Sequence, residues 1–280
     1  MKGVIKAIIA GAVILSLGIV VLVIALGVNN WKLDGDYEMK EYECVENNTA
    51  LDIDFSAGTL EINYYDGDKI KVEYPENKFL SATIAEDNGT LSFSTSIKRT
   101  WNLLSWFIKM PTAKIWIPQG DVMNIQLDMN AGTIKLAGGE YGNLNIKMNA
   151  GTFSTGDLEC KKLSVDLNAG TLNAQNLVSA EDVRIDLSAG NINFKSLVCP
   201  SVEGNVSAGT ANISKLKTNS VDFDISAGTV KLGMAGAKSD YSVAIEKSAG
   251  SCNISNQIGT KDLLIEANIS AGTFVVNFLS

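Results

Sequence analysis

"DFSAGTLEI" spans residues 54–62, and "NISAGTFVV" spans residues 268–276. Seven further copies of the same phrase lie between them. Its glycines are Gly58, Gly132, Gly151, Gly170, Gly190, Gly209, Gly228, Gly250 and Gly272. From Gly132 onward the steps are 19, 19, 20, 19, 19, 22 and 22 residues. A period near twenty marks a solenoid, in which each coil stacks on its neighbours.

Aligning the copies on AG gives columns of like residues. Two, four and six positions before each Ala the column is almost always apolar, as in Ile125, Leu127 and Met129 or Leu163, Val165 and Leu167. This is strand alternation with one buried face. The apolar pattern resumes two residues after Gly, as at Ile134, Phe153, Leu172 and Val230. The parity slips across AG, and a straight strand cannot absorb such a slip. AG therefore reads as a corner, with Ala small and inward and Gly at positive φ. The return, five to ten residues after Gly, reads as looser. Residues 50–280 would then make about 11 or 12 coils, each stacked on the next, in a rod on the order of 50–60 Å long. The Ser or Asn before AG and the Thr after it read as hydrogen-bonding ladders.

Composition narrows the function. The net charge is −8, and no histidine occurs. An acidic chain is a poor partner for nucleic acid. Without histidine the commonest general base and most zinc sites are missing. No catalytic, cofactor-binding or metal constellation is evident, and no small-molecule substrate is expected. The chain reads as a non-enzyme. A polysaccharide-active β-helix would need clustered acids in a cleft built from long loops, and these coils are short and even.

The N-terminus has a different character. Ala7 to Val28 is a run of 22 residues without a charge, where about 20 suffice to cross a bilayer as a helix. Lys2 and Lys6 precede it, and Asp34 and Asp36 follow. The positive-inside bias predicts a cytoplasmic N-terminus and an extracellular body. The run is longer than a signal-peptide core of about 7–15 residues, and no A-x-A follows it. The expected organisation is an anchor at 1–30, a linker at 31–48 and a solenoid at 49–280. Within the solenoid, 49–120 would be degenerate coils with an insertion, and 121–280 regular coils.

"TALDIDFSAGTLEINYYDGDKIKVEY" (49–74), "IAEDNGTLSFS" (84–94) and "AKIWIPQGDVMNIQLDMNAGTIKL" (113–136) resemble the bacterial "putative adhesin" family of unknown function. That family includes LiaG-like and YvlB-like envelope proteins. The resemblance implies a β-solenoid, often membrane-tethered, at the cell envelope. It supplies no catalytic residues. Two roles fit it: an adhesin or envelope scaffold with a protein or glycan partner, or a regulatory sensor acting through its transmembrane helix.

One segment breaks the pattern. "KRTWNLLSWFIKM" (98–110) is basic and aromatic in an acidic chain. Its Lys98, Arg99, Trp101, Trp106, Phe107 and Lys109 are candidates for contact with membrane or partner; equally, the aromatics could cap the open end of the core. Asp166 and Asp186 should be neighbours on adjacent coils. Cys160 and Cys199 share a column two coils apart, about 9.6 Å, beyond disulfide reach. Four free thiols are expected. Lys247 falls in an inward column, and a bulge is expected to turn it out.

Overall fold

The computed structural model describes residues 37–98 and 111–279. The expected anchor and the candidates Arg99, Trp101, Trp106, Phe107 and Lys109 lie outside the described residues. Seven strands precede the regular coils: β1 (Glu38–Glu43), β2 (Ala50–Phe55), β3 (Thr59–Tyr65), β4 (Lys71–Glu76), β5 (Leu80–Asp87), β6 (Thr90–Ile97) and β7 (Thr112–Pro118). The regular coils supply β8 (Met123–Met129), β9 (Thr133–Leu136), β10 (Gly139–Met148), β11 (Thr152–Thr155), β12 (Leu158–Leu167) and β13 (Thr171–Ser179). They continue with β14 (Val183–Leu187), β15 (Asn191–Val198), β16 (Ser201–Val206), β17 (Thr210–Lys217), β18 (Ser220–Ile225) and β19 (Thr229–Ala235). The last four strands are β20 (Tyr241–Lys247), β21 (Ser251–Cys252), β22 (Leu263–Ile269) and β23 (Thr273–Leu279).

The fold is all-β and solenoid-like. Each layer carries one strand before AG and one after, paired in parallel with the same strands of the next layer. The columns read from the sequence are the observed register: Leu163 faces Val183, Val165 faces Ile185, and Leu167 faces Leu187. Like residues stack on like, so the inward set forms one continuous core. The return is not loose. Gly139–Tyr141 pairs with Leu158–Cys160, and that segment pairs with Leu177–Ser179, so a third parallel ladder closes the coil.

The corner differs from expectation in two ways. Ala131, Ala150, Ala169 and Ala189 are exposed, so Ala turns outward at the corner. Glycine is the residue that packs against the neighbouring layer. A Cβ on Gly151 would stand 2.1 Å from the Gly132 carbonyl oxygen, and one on Gly170 would stand 2.3 Å from that of Gly151. Gly58, Gly132, Gly151, Gly170 and Gly190 have φ between 112° and 120°. Gly209, Gly228, Gly250 and Gly272 are outside that region. There a Cβ would instead strike a core side chain, such as Ile225 Cγ2 at 2.3 Å from Gly272. Close stacking is the requirement common to both sets; positive φ holds only in the first.

The Asn ladder is present. Asn149 Nδ2 donates to Asn130 Oδ1 at 2.9 Å, and Asn168 Nδ2 donates to Asn149 Oδ1 at 2.8 Å. The Thr column shows one side-chain bond among the described residues, between Ser251 and Thr273 at 3.0 Å. Backbone bonds such as Thr171 N–H to Gly151 O, 2.8 Å, carry the rest of that column.

Layer order departs from chain order at both ends. β2 lies between β6 and β8, and β3 between β7 and β9. The gap from Gly58 to Gly132 therefore supplies one outer layer, β6 with β7, rather than four successive coils. At the other end β18 pairs with β22, and β22 pairs with β20. Likewise β19 pairs with β23, and β23 with β21. The coil of Gly272 is thus inserted between those of Gly228 and Gly250. Ten layers result among the described residues, and nine spacings of about 4.8 Å give a stack about 43 Å long, shorter than expected.

This order explains Lys247. It sits in unbroken register with Ile269, so no bulge turns it outward. It is exposed because β20 belongs to the outermost layer. An ammonium there reaches water, whereas one layer further in it would be buried at high cost.

The four cysteines are free. Burial pushes the Cys44, Cys160 and Cys199 thiols up to about 11, so they stay protonated at neutral pH. Cys252 is half-buried on β21, facing Phe274 in register.

Candidate functional site

Residues 37–98 and 111–123 build the N-terminal end of the stack. β5 runs antiparallel to β6 and covers its edge. β4 covers β7 in the same way, and β1 covers β4. Residues 38–43, expected in a linker, are therefore part of the folded end. Lys40 pairs with Glu76, and Lys71 with Glu43 at 3.0 Å. Such charges on an edge strand discourage pairing with another chain.

One carboxylate ties this end together. Glu86 accepts hydrogen bonds from Tyr42 Oη at 2.6 Å, Val45 N–H at 2.9 Å, Glu46 N–H at 2.9 Å and Asn48 Nδ2 at 2.8 Å. Partial burial acts to raise its pKa, but the four donors outweigh that and hold it at about 2. The same bond, with burial, pushes Tyr42 up to about 12. The loop 44–49 is thus fixed to the β5–β6 hairpin.

Two clefts flank the loop between β7 and β8. The first, about 260 Å³, is lined by Asn48, Asp68, Lys69 and Asp121 among others. The Lys69 ammonium is already engaged, donating to Val45 O at 2.8 Å and Asn47 Oδ1 at 3.0 Å. The second, about 450 Å³, is lined by Tyr64, Gln119, Asp121, Gly138, Gly139 and Glu140. Tyr64 Oη donates to Glu140 O at 2.8 Å. Burial raises the Tyr64 pKa, and Glu140 and Asp121 add to that rise. Gly139 leaves room for the Tyr64 ring, from which a Cβ there would stand 2.5 Å, whereas a Cβ on Gly138 would meet the Asp157 carbonyl oxygen at 2.5 Å. The first cleft is mainly polar and the second mixed, and in both carboxylates outnumber free cations.

Of the predicted contact residues, Lys98 is the one within the described part. Thr112 aligns with Thr59, and Ser94 with Asp54. The end of β6 and the start of β7 therefore flank the position that Ser56, Ala57 and Gly58 occupy one layer in. Lys98 is exposed there, on the corner side, whereas the clefts open on the return side. Just beyond segment 98–110, a tryptophan and a lysine of β7 are tied to Glu73 on β4. The Trp116 indole donates to Glu73 Oε1 at 3.1 Å, and Lys114 pairs with the same carboxylate at 3.5 Å.

Catalytic chemistry finds little here. Among the described residues, each carboxylate whose pKa departs from normal does so downward: Glu76, Glu86, Asp186 and Asp240. A general acid at neutral pH needs the opposite shift. Asp166 and Asp186 are register neighbours, as expected. Asp186 is paired with Arg184 Nε at 2.9 Å, which supplies its countercharge, and accepts a further hydrogen bond from Asn205 Nδ2 at 2.6 Å. Among the described residues no group of three metal-ligating side chains occurs, and no helix is long and apolar enough to cross a membrane.

Sequence reasoning does not single out Tyr64, Glu86 or the clefts. The Gly138–Gly139 pair in the return is the available signal.

No curated protein sequence matches this chain. Several solved structures share its fold, three of them as follows. A "putative adhesin" from Bacteroides fragilis is 16% identical, with 88% of this chain and 98% of that one covered and a TM-score of 0.53. A "putative adhesin" from Parabacteroides distasonis is 14% identical, covering 87% and 98%, TM-score 0.55. A "putative lipid binding protein" from the same organism is 12% identical, covering 86% and 97%, TM-score 0.53. The family model described as Toastrack DUF4097 matches residues 48–277, nearly the whole stack, and the chain belongs to that family.

Proposed function

We propose that this chain is a non-enzymatic interaction module of the bacterial cell surface, an adhesin or envelope scaffold. In this reading residues 7–28 anchor it in the membrane, with the N-terminus cytoplasmic and the solenoid outside. The observation that carries the reading is the pairing of a 22-residue uncharged run with a continuous β-stack. The described part of that stack offers open clefts lined by carboxylates but no activated nucleophile or raised acid. The names of the fold neighbours, adhesins and a lipid-binding protein, fit a binding role.

The clefts beside Tyr64 and the strands that bound segment 98–110 share the end of the stack where the chain would enter from the anchor. In this reading Lys98, Arg99, Trp101, Trp106, Phe107 and Lys109 meet anionic headgroups or an envelope partner, with aromatics at the interface and cations on phosphate.

Asn205→Cys tests the orientation, because Asn205 is exposed on the outer face. In intact cells a membrane-impermeant maleimide should label this variant above the wild type, whose Cys44, Cys160 and Cys199 are buried. Labelling seen only after lysis would overturn the reading. Deleting residues 1–30 separates the two roles: retained protein or glycan binding supports adhesion, and loss of all function supports signalling through the anchor.

A further inference from the structure

The C-terminal coil is an insert. After β19 the chain does not build the next layer. It passes through a 3-10 turn at Lys238–Asp240, lays down β20 and β21 one layer too far out, and returns to fill the vacant slot with β22 and β23. The filling coil is fully seated. Ile265, Ala267, Ile269, Phe274 and Val276 are buried, and Thr273 N–H donates to Gly228 O at 2.9 Å. The layer outside it is not. β20 and β21 pair with no strand except β22 and β23 among the described residues. Their inward column includes exposed Lys247 and half-buried Ile245 and Cys252.

The slot therefore has two walls that share no strand pairing; the 236–240 turn and Tyr241 Oη, donating to Ala235 O at 2.6 Å, join them directly at one edge. One wall is β18 with β19, and the other is β20 with β21. Every AG coil presents the same columns, so the slot reads register and apolar pattern rather than chain connectivity. The connection from β21 to β22, residues 253–262, is long enough to reach another molecule, at most about 33 Å when extended. Exchange of an identical element through such a connection is a low-cost route to dimers.

We propose that this slot is an interaction site for a second copy of the chain, with residues 263–279 of one molecule seated between β18–β19 and β20–β21 of the other. The partner coil would meet the contacts now made within one chain, including Asn268 Nδ2 on Asp224 Oδ1 at 3.0 Å. No new surface has to form. The cost is the opening of the 253–262 connection, whose holds include the Val243–Gln257 bridge and the Lys261–Asp240 ion pair.

Disulfide capture in the full chain tests this. Asp224 and Asn268 are exposed register partners on adjacent layers, a spacing within disulfide reach. Asp224→Cys and Asn268→Cys are made separately, mixed at high concentration in mild urea, returned to buffer and oxidised. A covalent heterodimer should form in roughly tenfold excess over the control pair Asn205→Cys with Asn268→Cys, because seating raises the effective concentration of one pair only. Asn205 stands in the same column one layer further away, and the native thiols are common to both mixtures. Equal yields from the two pairs overturn the proposal. So does a dimer on size exclusion in which the two introduced thiols, at positions 224 and 268, are not linked, since another surface would then hold it. In a single chain carrying both substitutions, the intramolecular disulfide should abolish the exchange; persistence of the dimer in that locked chain also overturns the proposal.

Discussion

The two ends of the stack solve one problem differently. A sheet edge presents unpaired N–H and C=O groups, and each must find a partner or invite another chain. At the N-terminal end the partners are strands. β5, β4 and β1 run antiparallel along the outer layer, and their charged side chains make the new edge unattractive. At the C-terminal end the partners are side-chain amides. Asn253 Oδ1 accepts from Val276 N–H at 2.8 Å while its Nδ2 donates to Val276 O at 2.9 Å, in imitation of a strand residue. Asn256 Oδ1 accepts from Ile245 N–H at 2.7 Å. Gln257 makes the single antiparallel bridge to Val243, and Ile258 beside it is 94% exposed. Strand caps add apolar surface to the core, whereas amide caps only satisfy hydrogen bonds. The C-terminal end should therefore open first.

Four measurements would break or sharpen that contrast. The largest effect is expected from Phe274→Ala in the inserted coil. Truncating a fully buried phenylalanine costs about 3–5 kcal/mol. The strands of the outer layer pair with this coil alone among the described residues, so amides 241–252 should lose hydrogen-exchange protection together with those of β22 and β23. Independent protection of β20 would show that the outer layer has support of its own. Glu86→Gln at the opposite end should cost on the order of 1–2 kcal/mol, since the charged acceptor of four hydrogen bonds is lost at a partly solvated site.

That carboxylate also sets a pH dependence. Its folded pKa, about 2, lies below the ordinary 4.5. The contribution is fully present above about pH 4.5 and disappears as the pH falls towards 2. In Glu86→Gln, urea midpoints between pH 5 and 2 should fall less steeply than in the wild type. Parallel profiles would remove Glu86 as the tie. Asn253→Ala is a smaller change, about 1 kcal/mol, with faster exchange at the Val276 amide as its local signature. The smallest effect is expected for Lys247→Met, within about 0.5 kcal/mol. Had the coils stacked in chain order, Lys247 would lie inside the rod, and the same substitution would stabilise strongly.

Much of this is written in the repeat. Alternation around Ile125, Leu127 and Met129 specifies the strands, and like columns specify the parallel register, because stacking buries only matching faces. The parity slip places the corner. The inward reading of Ala fails, because small size is compatible with either side of a bend. Only the packing of Gly132 against Gly58, or Gly151 against Gly132, shows that glycine takes the tight side. The clefts are not legible because Tyr64, Asp121 and Glu140 are far apart in sequence and lie in non-repeating positions. They meet where β3, the β7–β8 loop and the start of β10 converge. Glu86 is hidden for the same reason, since its donors on residues 42–48 come from another strand and loop.

By itself the sequence determined the two strands that flank each corner, the glycine at the corner and the apolar interior, all fixed by alternation; the third ladder that closes the coil emerged only in the structure. Tertiary structure alone decided which coil lies against which. Nine near-identical corners make every coil an acceptable neighbour for every other, so periodicity carries no information about order. The order was settled by what the exceptions tolerate. Lys247 needs water and takes the outermost layer, the apolar final coil takes the slot inside it, and the segment without AG closes the other end.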